Sequence, residues 1–297
     1  MEHVLSSFSA GLADLAEHAG QSAVAIEARH RIGSSGFLWK PGIIVTADHA
    51  IRREEDIPVI LPDGRRATAQ LAGRDPGTDI AVLRVDGATA PALATAPPPR
   101  AGEIVLAVGR HEPGLLAAFG IVSTAGGAWK TWRGGQFDTL LRLDIGAYPR
   151  SSGSAVVDTE GRLIGMLTGG LTRTAPVAIP VATIERIAGE LAEHGRVARG
   201  YLGVGLQPIP FPPAFFKALN REQRSGLIVL SVEPDGPADK AGTQLGDVLA
   251  EVGGHPVTDT DDIQTALRGK IGKDVAVVIL RGGARTEISV RVGERRR

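Results

Sequence analysis

Apolar residues occur along much of the chain in short runs that are separated by turn-forming residues, a pattern typical of β-strands. The runs form two groups of about six, joined by a proline-rich connector at residues 91–99 that suits neither a helix nor a central strand. The first group covers residues 22–28, 36–39, 43–47, 57–61, 67–72 and 79–85, and the second covers 104–109, 115–123, 139–145, 155–158 and 163–168. Two such groups predict a pair of β-barrels or a β-sandwich.

Two segments have helical periodicity instead. Residues 9–19 place two leucines and an alanine on one face, which predicts a short amphipathic helix. Residues 181–193 repeat isoleucine, alanine and leucine at the same spacing. Gly195 follows directly, at a position where glycine commonly ends a helix. We therefore expect a second helix that closes the β-rich region.

The pattern changes after Gly200, where strand-like and helix-like segments alternate. They cover residues 201–206, 211–219, 227–232, 237–241, 247–252, 259–268, 275–281 and 286–292. This mixture predicts a separate α+β domain of about 100 residues. The expected division is therefore residues 1–198 and residues 199–297.

The amino-acid composition argues against several classes of function. The 297 residues contain 33 Lys and Arg against 33 Asp and Glu, and the absence of net charge argues against nucleic acid or an anionic membrane as the main partner. No cysteine is present, which excludes disulfides, thiol nucleophiles and cysteine-ligated metals. The sequence has neither a membrane span nor a signal-peptide pattern. We expect a cytoplasmic protein as the sequence is written, or a periplasmic one if a leader has been removed.

Metal and cofactor signals are weak. None of the seven histidines pairs with another at metal-ligand spacing. Gly203 and Gly205 begin a dinucleotide-like motif, but Pro208 stands where a third glycine is needed. We expect no metal and no cofactor.

The remaining candidate chemistry is a set of three residues that could together activate a serine nucleophile. His49 ends an apolar strand, Asp79 opens another, and Ser152 lies in Pro-Arg-Ser-Ser-Gly-Ser just before a third. A serine hydroxyl is a poor nucleophile unless an imidazole accepts its proton and a carboxylate orients that imidazole. Each residue alone is more often a structural strand-end, turn or loop residue. Their order, and their separation into two β-groups that can face each other across a cleft, favour a catalytic triad.

These residues resemble the motifs of the HtrA/Deg family, trypsin-like serine proteases with a C-terminal PDZ domain. The matching triad elements are residues 46–50, 79–83 and 150–154, and the matching PDZ elements are residues 195–204 and 237–249. The resemblance covers residues from about 20 to 293. It implies a mainly β fold, with a chymotrypsin-like double β-barrel protease domain before a small α+β PDZ domain.

The resemblance also implies roles for individual residues. The backbone N–H groups of Arg150 and Ser152 would form the oxyanion hole. The PDZ peptide-binding residues would be Tyr201, Leu202, Gly203, Val204, Ile263 and Leu267, with Ala266 on the same helical face as the last two. Apolar residues matching the primary specificity pocket (Met166, Leu167, Val177 and Ile179) imply small or medium apolar side chains before the scissile bond.

The implied activity is ATP-independent cleavage of unfolded or damaged polypeptides, with the PDZ domain recruiting apolar C-termini. The family usually assembles as trimers through the N-terminal region, so a homotrimer is implied. Phe8 is the only aromatic residue before Phe37, which makes the usual aromatic anchor thin.

Three departures from the family pattern bear on activity. Arg150, Ser151 and Ser154 stand where the family has Gly, Asn and Gly. A left-handed conformation at Arg150 costs roughly 1–2 kcal/mol, which could favour an inactive loop. Asp48 precedes His49, and a carboxylate beside a general base favours protonation of that base unless it points into solvent. Ser151 is a rival nucleophile, but only Ser152 precedes a glycine in the family register.

Two alternatives stay open. In the first, the oxyanion loop is collapsed and the protein is a proteolytically silent PDZ scaffold or chaperone-like module. In the second, an acyltransferase or esterase uses the same triad, because the chemistry does not specify the acyl donor.

Overall fold

The computed structural model describes residues 2–28, 33–89, 91–112, 114–131, 135–172, 175–198, 200–211 and 223–294. The chain separates into two compact units, residues 1–197 and 198–297. No helix among the described residues is both long and apolar enough to cross a membrane. The predicted segment at residues 211–219 falls outside the described residues except for Phe211.

The first unit begins with α1 (Glu2–Gly20), which is longer than the predicted 9–19. A closed six-stranded barrel follows, in the order β1-β2-β3-β6-β5-β4. Its strands are β1 (Ala23–Ile26), β2 (Ser34–Lys40), β3 (Ile43–Ala47), β4 (Ile57–Ile60), β5 (Arg66–Asp75) and β6 (Ile80–Arg84). All neighbouring strands are antiparallel, and a 3-10 turn, Asp48–Ala50, continues directly from β3.

A second closed barrel has the order β11-β14-β13-β12-β7-β8. Its strands are β7 (Ile104–His111), β8 (Gly114–Gly126), β11 (Leu140–Ile145), β12 (Ala155–Val157), β13 (Leu163–Thr168) and β14 (Val177–Pro180), with a small hairpin of β9 (Trp129–Lys130) and β10 (Gln136–Phe137) beside it. The two groups of strands are therefore barrels, one of the two architectures that the sequence pattern predicted. β14 was not predicted as a strand, because it has only four residues, with Pro176 directly before it and Pro180 at its end.

Helix α2 (Val181–His194) ends at Gly195, which takes the left-handed conformation and donates its N–H to the Leu191 carbonyl. Its buried face joins one hydrophobic cluster that also contains Phe37 and Val45 from the first barrel and Met166 and Ile179 from the second. A shared cluster of this kind fixes the two barrels against each other, which gives residues from both a constant separation.

The second unit contains one main sheet, in the order β16-β17-β18-β20-β21. The strands of the second unit, inside and outside this sheet, are β15 (Gly200–Tyr201), β16 (Val204–Pro210), β17 (Ser225–Val232), β18 (Val248–Val252), β19 (His255–Pro256), β20 (Asp274–Arg281), β21 (Ala284–Arg291) and β22 (Gly293–Glu294). The described helices of the unit are α3 (Pro237–Lys240) and α4 (Thr260–Ala266). β16 lies at the edge of the sheet and contacts α4, so a strand-shaped ligand could pair with its free side.

Candidate active site

The imidazole of His49 lies against the carboxylate of Asp79. The His49 Nδ1 is 2.8 Å from Asp79 Oδ2 and 3.0 Å from Oδ1, and the His49 backbone N–H donates to Oδ1 at 2.9 Å. The carboxylate is 4% exposed and the imidazole 29% exposed. A buried carboxylate on Nδ1 favours the tautomer with its proton there, which leaves Nε2 able to accept a proton.

The turn before β6 places Asp79. The Asp75 carboxylate accepts hydrogen bonds from the backbone N–H groups of Gly77 and Thr78 and from the Thr78 hydroxyl. Asp79 itself has a φ of 59°, which a non-glycine residue adopts only when its surroundings hold it. The Thr168 hydroxyl, from the end of β13, also donates to Asp79 Oδ2. The sequence analysis missed Thr168, because nothing local marks it and only the contact between the barrels places it here.

Ser152 lies in the loop of residues 149–154, which we term the nucleophile loop. The Ser152 carbonyl accepts a hydrogen bond of 3.1 Å from the N–H of Ser35 in β2, and the next N–H, that of Gly153, donates to the Leu167 carbonyl in β13 at 2.8 Å. Leu167 precedes Thr168, which bonds Asp79. These contacts link the loop to β13, whose Thr168 bonds Asp79, but no hydrogen bond joins Ser152 to His49 in the described part of the chain. The Ser152 side chain is half-buried, and its hydroxyl makes no hydrogen bond within the described part of the chain.

The rival serine is held away from such a role. Ser151 is 3% exposed, and its hydroxyl donates to the Tyr148 carbonyl at 2.8 Å. A buried hydroxyl committed to a backbone carbonyl is poorly placed for attack on a substrate. The structure therefore favours Ser152 over Ser151 on grounds independent of the sequence register.

The nucleophile loop uses some backbone N–H groups and leaves others unpaired. The N–H groups of Ser151, Gly153 and Ser154 donate to carbonyls within the protein. Those of Arg150 and Ser152 donate to no carbonyl or side chain of the described residues. These are the two groups that the resemblance assigns to the oxyanion hole. Free N–H groups of this kind can stabilise the charge that develops on a substrate oxygen.

Arg150 has a φ of 82°, in the left-handed region. Pro149 and Arg150 are the central residues of a turn closed by the Ser151 N–H on the Tyr148 carbonyl at 3.0 Å. A positive φ at the third residue of such a turn is typical of type II and normally requires glycine. The arginine thus adopts the conformation of the glycine it replaces, at a cost of roughly 1–2 kcal/mol.

Asp48, beside His49, does not point into solvent as the sequence alternative allowed. It is 3% exposed, and the Nε–H of Arg74 donates to its carboxylate at 2.6 Å. Burial raises the pKa of Asp48, while the hydrogen bond and charge of Arg74 lower it, and the charges of Asp79 and Asp75 raise it further. Arg74 also donates to the backbone carbonyl of Asp48, which ties β5 to the turn that carries His49.

The apolar residues implied for the specificity pocket are core residues. Met166, Leu167, Val177 and Ile179 are each at most 1% exposed and belong to hydrophobic clusters of the second barrel. They cannot themselves line an accessible pocket, because strands 163–168 and 177–180 are buried on both faces. These four side chains therefore give no support to the expected apolar preference, which stays a prediction.

In the second unit, residues 201–204 form a loop that we term the carboxylate loop. The carbonyls of Leu202 and Gly203 accept hydrogen bonds of 2.8 Å from the N–H groups of Ala238 and Glu233. The N–H groups of Leu202 and Gly203 have no partner among the residues that the structure describes. Gly203 has a φ of 78°. The Tyr201 hydroxyl donates to the Glu233 carboxylate at the rim of the loop.

The other residues implied for peptide binding are more buried than a groove wall needs. Leu202, Ile263 and Leu267 are at most 5% exposed and belong to the core of the second unit. Val204 and Ala266 are half-buried and pack against that core. The structure thus places Val204 on the edge strand and Ala266 on α4, with Ile263 and Leu267 behind them.

Comparison with known proteins gives two family matches. The trypsin-like peptidase domain family matches residues 34–166, and the PDZ domain family matches residues 200–292. A protein named as a DegP-like periplasmic serine endoprotease of Halomonas elongata is 32% identical over 279 residues, covering 90% of this chain and 57% of its own length. A protein of the same description from Brucella suis is 32% identical over 272 residues, covering 88% of this chain and 52% of its own length. The chain thus spans little more than half the length of these relatives.

Solved structures agree with the sequence matches. The HtrA-type protease AlgW with a decapeptide has a TM-score of 0.79 and 26% identity, covering 96% of this chain and 99% of its own. The serine endoprotease from Yersinia pestis has a TM-score of 0.77 and 28% identity, covering 96% of this chain and 98% of its own. With the two barrels, the His49–Asp79 pair and the second unit's sheet, these matches lead to one assignment: the chain belongs to the HtrA/Deg family, in which a trypsin-like peptidase domain precedes a PDZ domain.

Proposed function

We propose that the chain is a serine endopeptidase in which Ser152 is the nucleophile, His49 the general base and Asp79 the carboxylate that orients His49. The observation that carries the proposal is the pair of unpaired N–H groups at Arg150 and Ser152, with Arg150 held at a φ of 82°. This arrangement supports an open oxyanion hole. A collapsed loop, expected for a silent binding module, would direct these groups to internal partners.

The reaction follows from the roles of these groups. The Ser152 Oγ attacks the carbonyl carbon of a peptide bond while His49 Nε2 takes the hydroxyl proton. The N–H groups of Arg150 and Ser152 donate to the resulting oxyanion, and Asp79 stabilises the imidazolium. His49 then gives its proton to the leaving amine, which departs and leaves an acyl-enzyme on Ser152. Water, deprotonated by His49, attacks this ester and regenerates the free serine.

For substrates, we propose unfolded or damaged polypeptides cleaved without ATP, with apolar C-termini bound by the PDZ unit. An added strand can pair with the free edge of β16, and its terminal carboxylate can accept from the N–H groups of Leu202 and Gly203. Solved HtrA-type relatives contain a decapeptide or a tripeptide, which supports a peptide ligand.

We further propose a homotrimer formed through the N-terminal region. Val4, Leu5 and Phe8 of α1 are exposed by 71%, 71% and 46%, and the Phe8 ring packs edge-on against Phe119, which is itself 46% exposed. An exposed apolar patch of this kind suits burial against another copy. For location, the names of the relatives support the periplasmic alternative rather than the cytoplasmic expectation.

The test is labelling by a fluorophosphonate probe, with the modified residue located by mass spectrometry. We expect label on Ser152, and cleavage of an unfolded protein that Ser152→Ala abolishes and Ser151→Ala largely retains. Label on Ser151, or cleavage that survives Ser152→Ala, would assign a different nucleophile. The absence of label, even with apolar C-terminal peptides added, would favour the silent binding module.

A further inference from the structure

Ser35, in β2 of the first barrel, lies directly beneath the nucleophile loop. It is fully buried, and its hydrogen bonds reach Thr46, Arg110, Arg150 and Ser152. We propose that the Ser35 hydroxyl is the positioning group that holds Arg150 in the left-handed conformation and thereby keeps the oxyanion hole open. This inference rests on the proposed peptidase function and adds the element that allows an arginine to stand at this position.

The hydroxyl contacts the loop at the strained residue. The Ser35 Oγ–H can donate to two carbonyls, that of Arg150 at 2.9 Å and that of Arg110, in β7, at 3.2 Å, and the contact with Arg150 is the shorter. The same oxygen accepts the N–H of Arg110 at 3.2 Å. The Ser35 N–H donates to the Ser152 carbonyl at 3.1 Å. Ser35, a residue of the first barrel, therefore bonds the carbonyls of both proposed oxyanion-hole residues. It also contacts β7 of the second barrel through Arg110.

These two carbonyls belong to the peptide groups that alternate with the proposed oxyanion donors. The peptide group after Arg150 is held at one end by Ser35 and at the other by the Ser151 N–H on Tyr148. The peptide group after Ser152 is held by Ser35 and by the Gly153 N–H on Leu167. With both groups fixed, the N–H groups of Arg150 and Ser152 are left to point out of the network. Without the Ser35 hydroxyl, the Arg150 carbonyl loses its partner and the arginine can relax to a negative φ.

The surroundings of Ser35 keep this network in one arrangement. The Thr46 hydroxyl, three residues before His49, donates to the Ser35 carbonyl at 2.7 Å. A Cβ at Gly109 would lie 2.3 Å from the Ser35 Oγ, and one at Gly153 would lie 1.9 Å from the Ser35 carbonyl oxygen. Gly153 therefore leaves room for the Ser35 carbonyl, and Gly109 leaves room for two hydroxyls, since a Cβ there would also lie 2.3 Å from the Ser154 Oγ.

The chain provides a matched control in the adjacent residue. Ser34 is 4% exposed, and its buried hydroxyl has no hydrogen-bond partner among the residues that the structure describes. Ser35→Ala and Ser34→Ala thus remove the same atom from neighbouring buried positions of one strand. Only the first substitution removes a hydrogen bond to the nucleophile loop.

The experiment measures kcat and KM of the full chain on an unfolded protein or a fluorogenic peptide. We expect Ser35→Ala to lower kcat by about 100- to 1000-fold, the usual effect of losing one oxyanion donor, with KM changed by only a few-fold. Ser34→Ala should retain wild-type kcat. Arg150→Gly in the Ser35→Ala background should restore kcat to within about tenfold of wild type, because glycine holds a positive φ without the clamp.

Crystal structures of the two variants give a readout that does not depend on catalysis. We expect Arg150 at a positive φ in Ser34→Ala and at a negative φ in Ser35→Ala. If Ser35→Ala does not fold, Ser35→Cys keeps a side chain at this position but replaces the hydroxyl by a weak thiol donor, and we expect a loss of kcat that Arg150→Gly again rescues.

The proposal is overturned if Arg150 keeps its positive φ without the Ser35 hydroxyl, or if kcat falls equally in Ser34→Ala and Ser35→Ala. It is also overturned if Arg150→Gly fails to rescue. The proposed peptidase function fails separately, if Ser152→Ala retains activity or if the wild-type chain has none. In that case the φ of Arg150 in the two variants still decides whether Ser35 is the clamp.

Discussion

The nucleophile loop and the carboxylate loop share a backbone arrangement but differ in the residues that adopt it. Each leaves two backbone N–H groups without a partner in the described part of the chain, while the neighbouring groups are satisfied. Each contains a residue in the left-handed conformation, Arg150 at 82° and Gly203 at 78°. Both loops are thereby suited to a negatively charged oxygen, a transient oxyanion in one and a terminal carboxylate in the other.

The two loops differ in what holds the conformation. At Gly203 the residue itself tolerates a positive φ, and an added Cβ would have no contact closer than 3.4 Å. At Arg150 the residue opposes the conformation, and the loop is instead held by Ser35, Tyr148 and Leu167. A glycine makes such a loop a local property of the sequence, whereas an arginine makes it depend on contacts from distant strands.

The largest expected effect is a loss of catalysis at the nucleophile loop that leaves peptide binding at the carboxylate loop unchanged. Asp79→Asn should lower kcat by about 10⁴-fold, because the imidazole then holds the wrong tautomer while the geometry is retained. The Kd of a fluorescent apolar C-terminal peptide should not change, because the carboxylate loop needs no proton transfer. A parallel loss of peptide affinity would mean that the substitution disturbs more than the catalytic pair.

A second difference concerns the buried aspartates of the two units. Asp48 bonds Arg74, and its pKa is raised mainly by burial. Asp247 bonds Arg281 at 2.8 Å, and its pKa is lowered, because the hydrogen bonds from Arg281 and from the Gln244 N–H outweigh its burial. The carboxylate of Asp247 therefore contributes stability above the ordinary value of 3.8, and this contribution is lost as the pH falls through the lowered pKa.

We accordingly expect Asp247→Asn to reduce the free energy of unfolding by about 1.5–3 kcal/mol at pH 7, the range for hydrogen bonds to charged groups. The difference from wild type should shrink as the pH falls well below 3.8, where both chains are uncharged at this position. Denaturant unfolding at the two pH values checks this expectation. A difference that stays constant with pH would show that packing, rather than charge, sets the effect.

The smallest expected effect tests the carboxylate loop itself. Gly203→Ala forces a Cβ into the left-handed region, which costs roughly 1–2 kcal/mol. We expect peptide affinity to fall about 5- to 30-fold, with kcat on a short peptide unchanged. Gly282→Ala is the control, because Gly282 has a φ of 57° and open space around its Cβ position in the hairpin between β20 and β21. This control should lose stability but retain peptide affinity, and equal losses of affinity would refute a specific role for Gly203.

Much of the fold followed from local patterns. The strand at residues 163–168 and the end of α2 at Gly195 lie where the apolar run and the glycine placed them. The first helix extends beyond its apolar face, because Val4 and Leu5 are exposed by 71% each and give no periodic signal. β14 was missed because it has only four residues, with a proline directly before it and another at its end, and proline argues against a strand.

The sequence likewise predicted only part of the candidate site. Residue types and their order indicated His49, Asp79 and Ser152, because few combinations of side chains can activate a hydroxyl. Sequence could not place Thr168 on Asp79 or Asp48 on Arg74, since both contacts join segments that are far apart in the chain. It also assigned to a pocket four apolar side chains that the second barrel buries.

The sequence by itself determined which chemical groups are available, where most strands of the two barrels lie, and that Gly203 can hold a positive φ. Only the tertiary structure decided that Arg150 does so as well. The hydroxyl that bonds its carbonyl is 115 residues away, on a strand of the other barrel. A backbone conformation that its own residue disfavours is stable only when packed neighbours hold it, and those neighbours come together only after both barrels have closed.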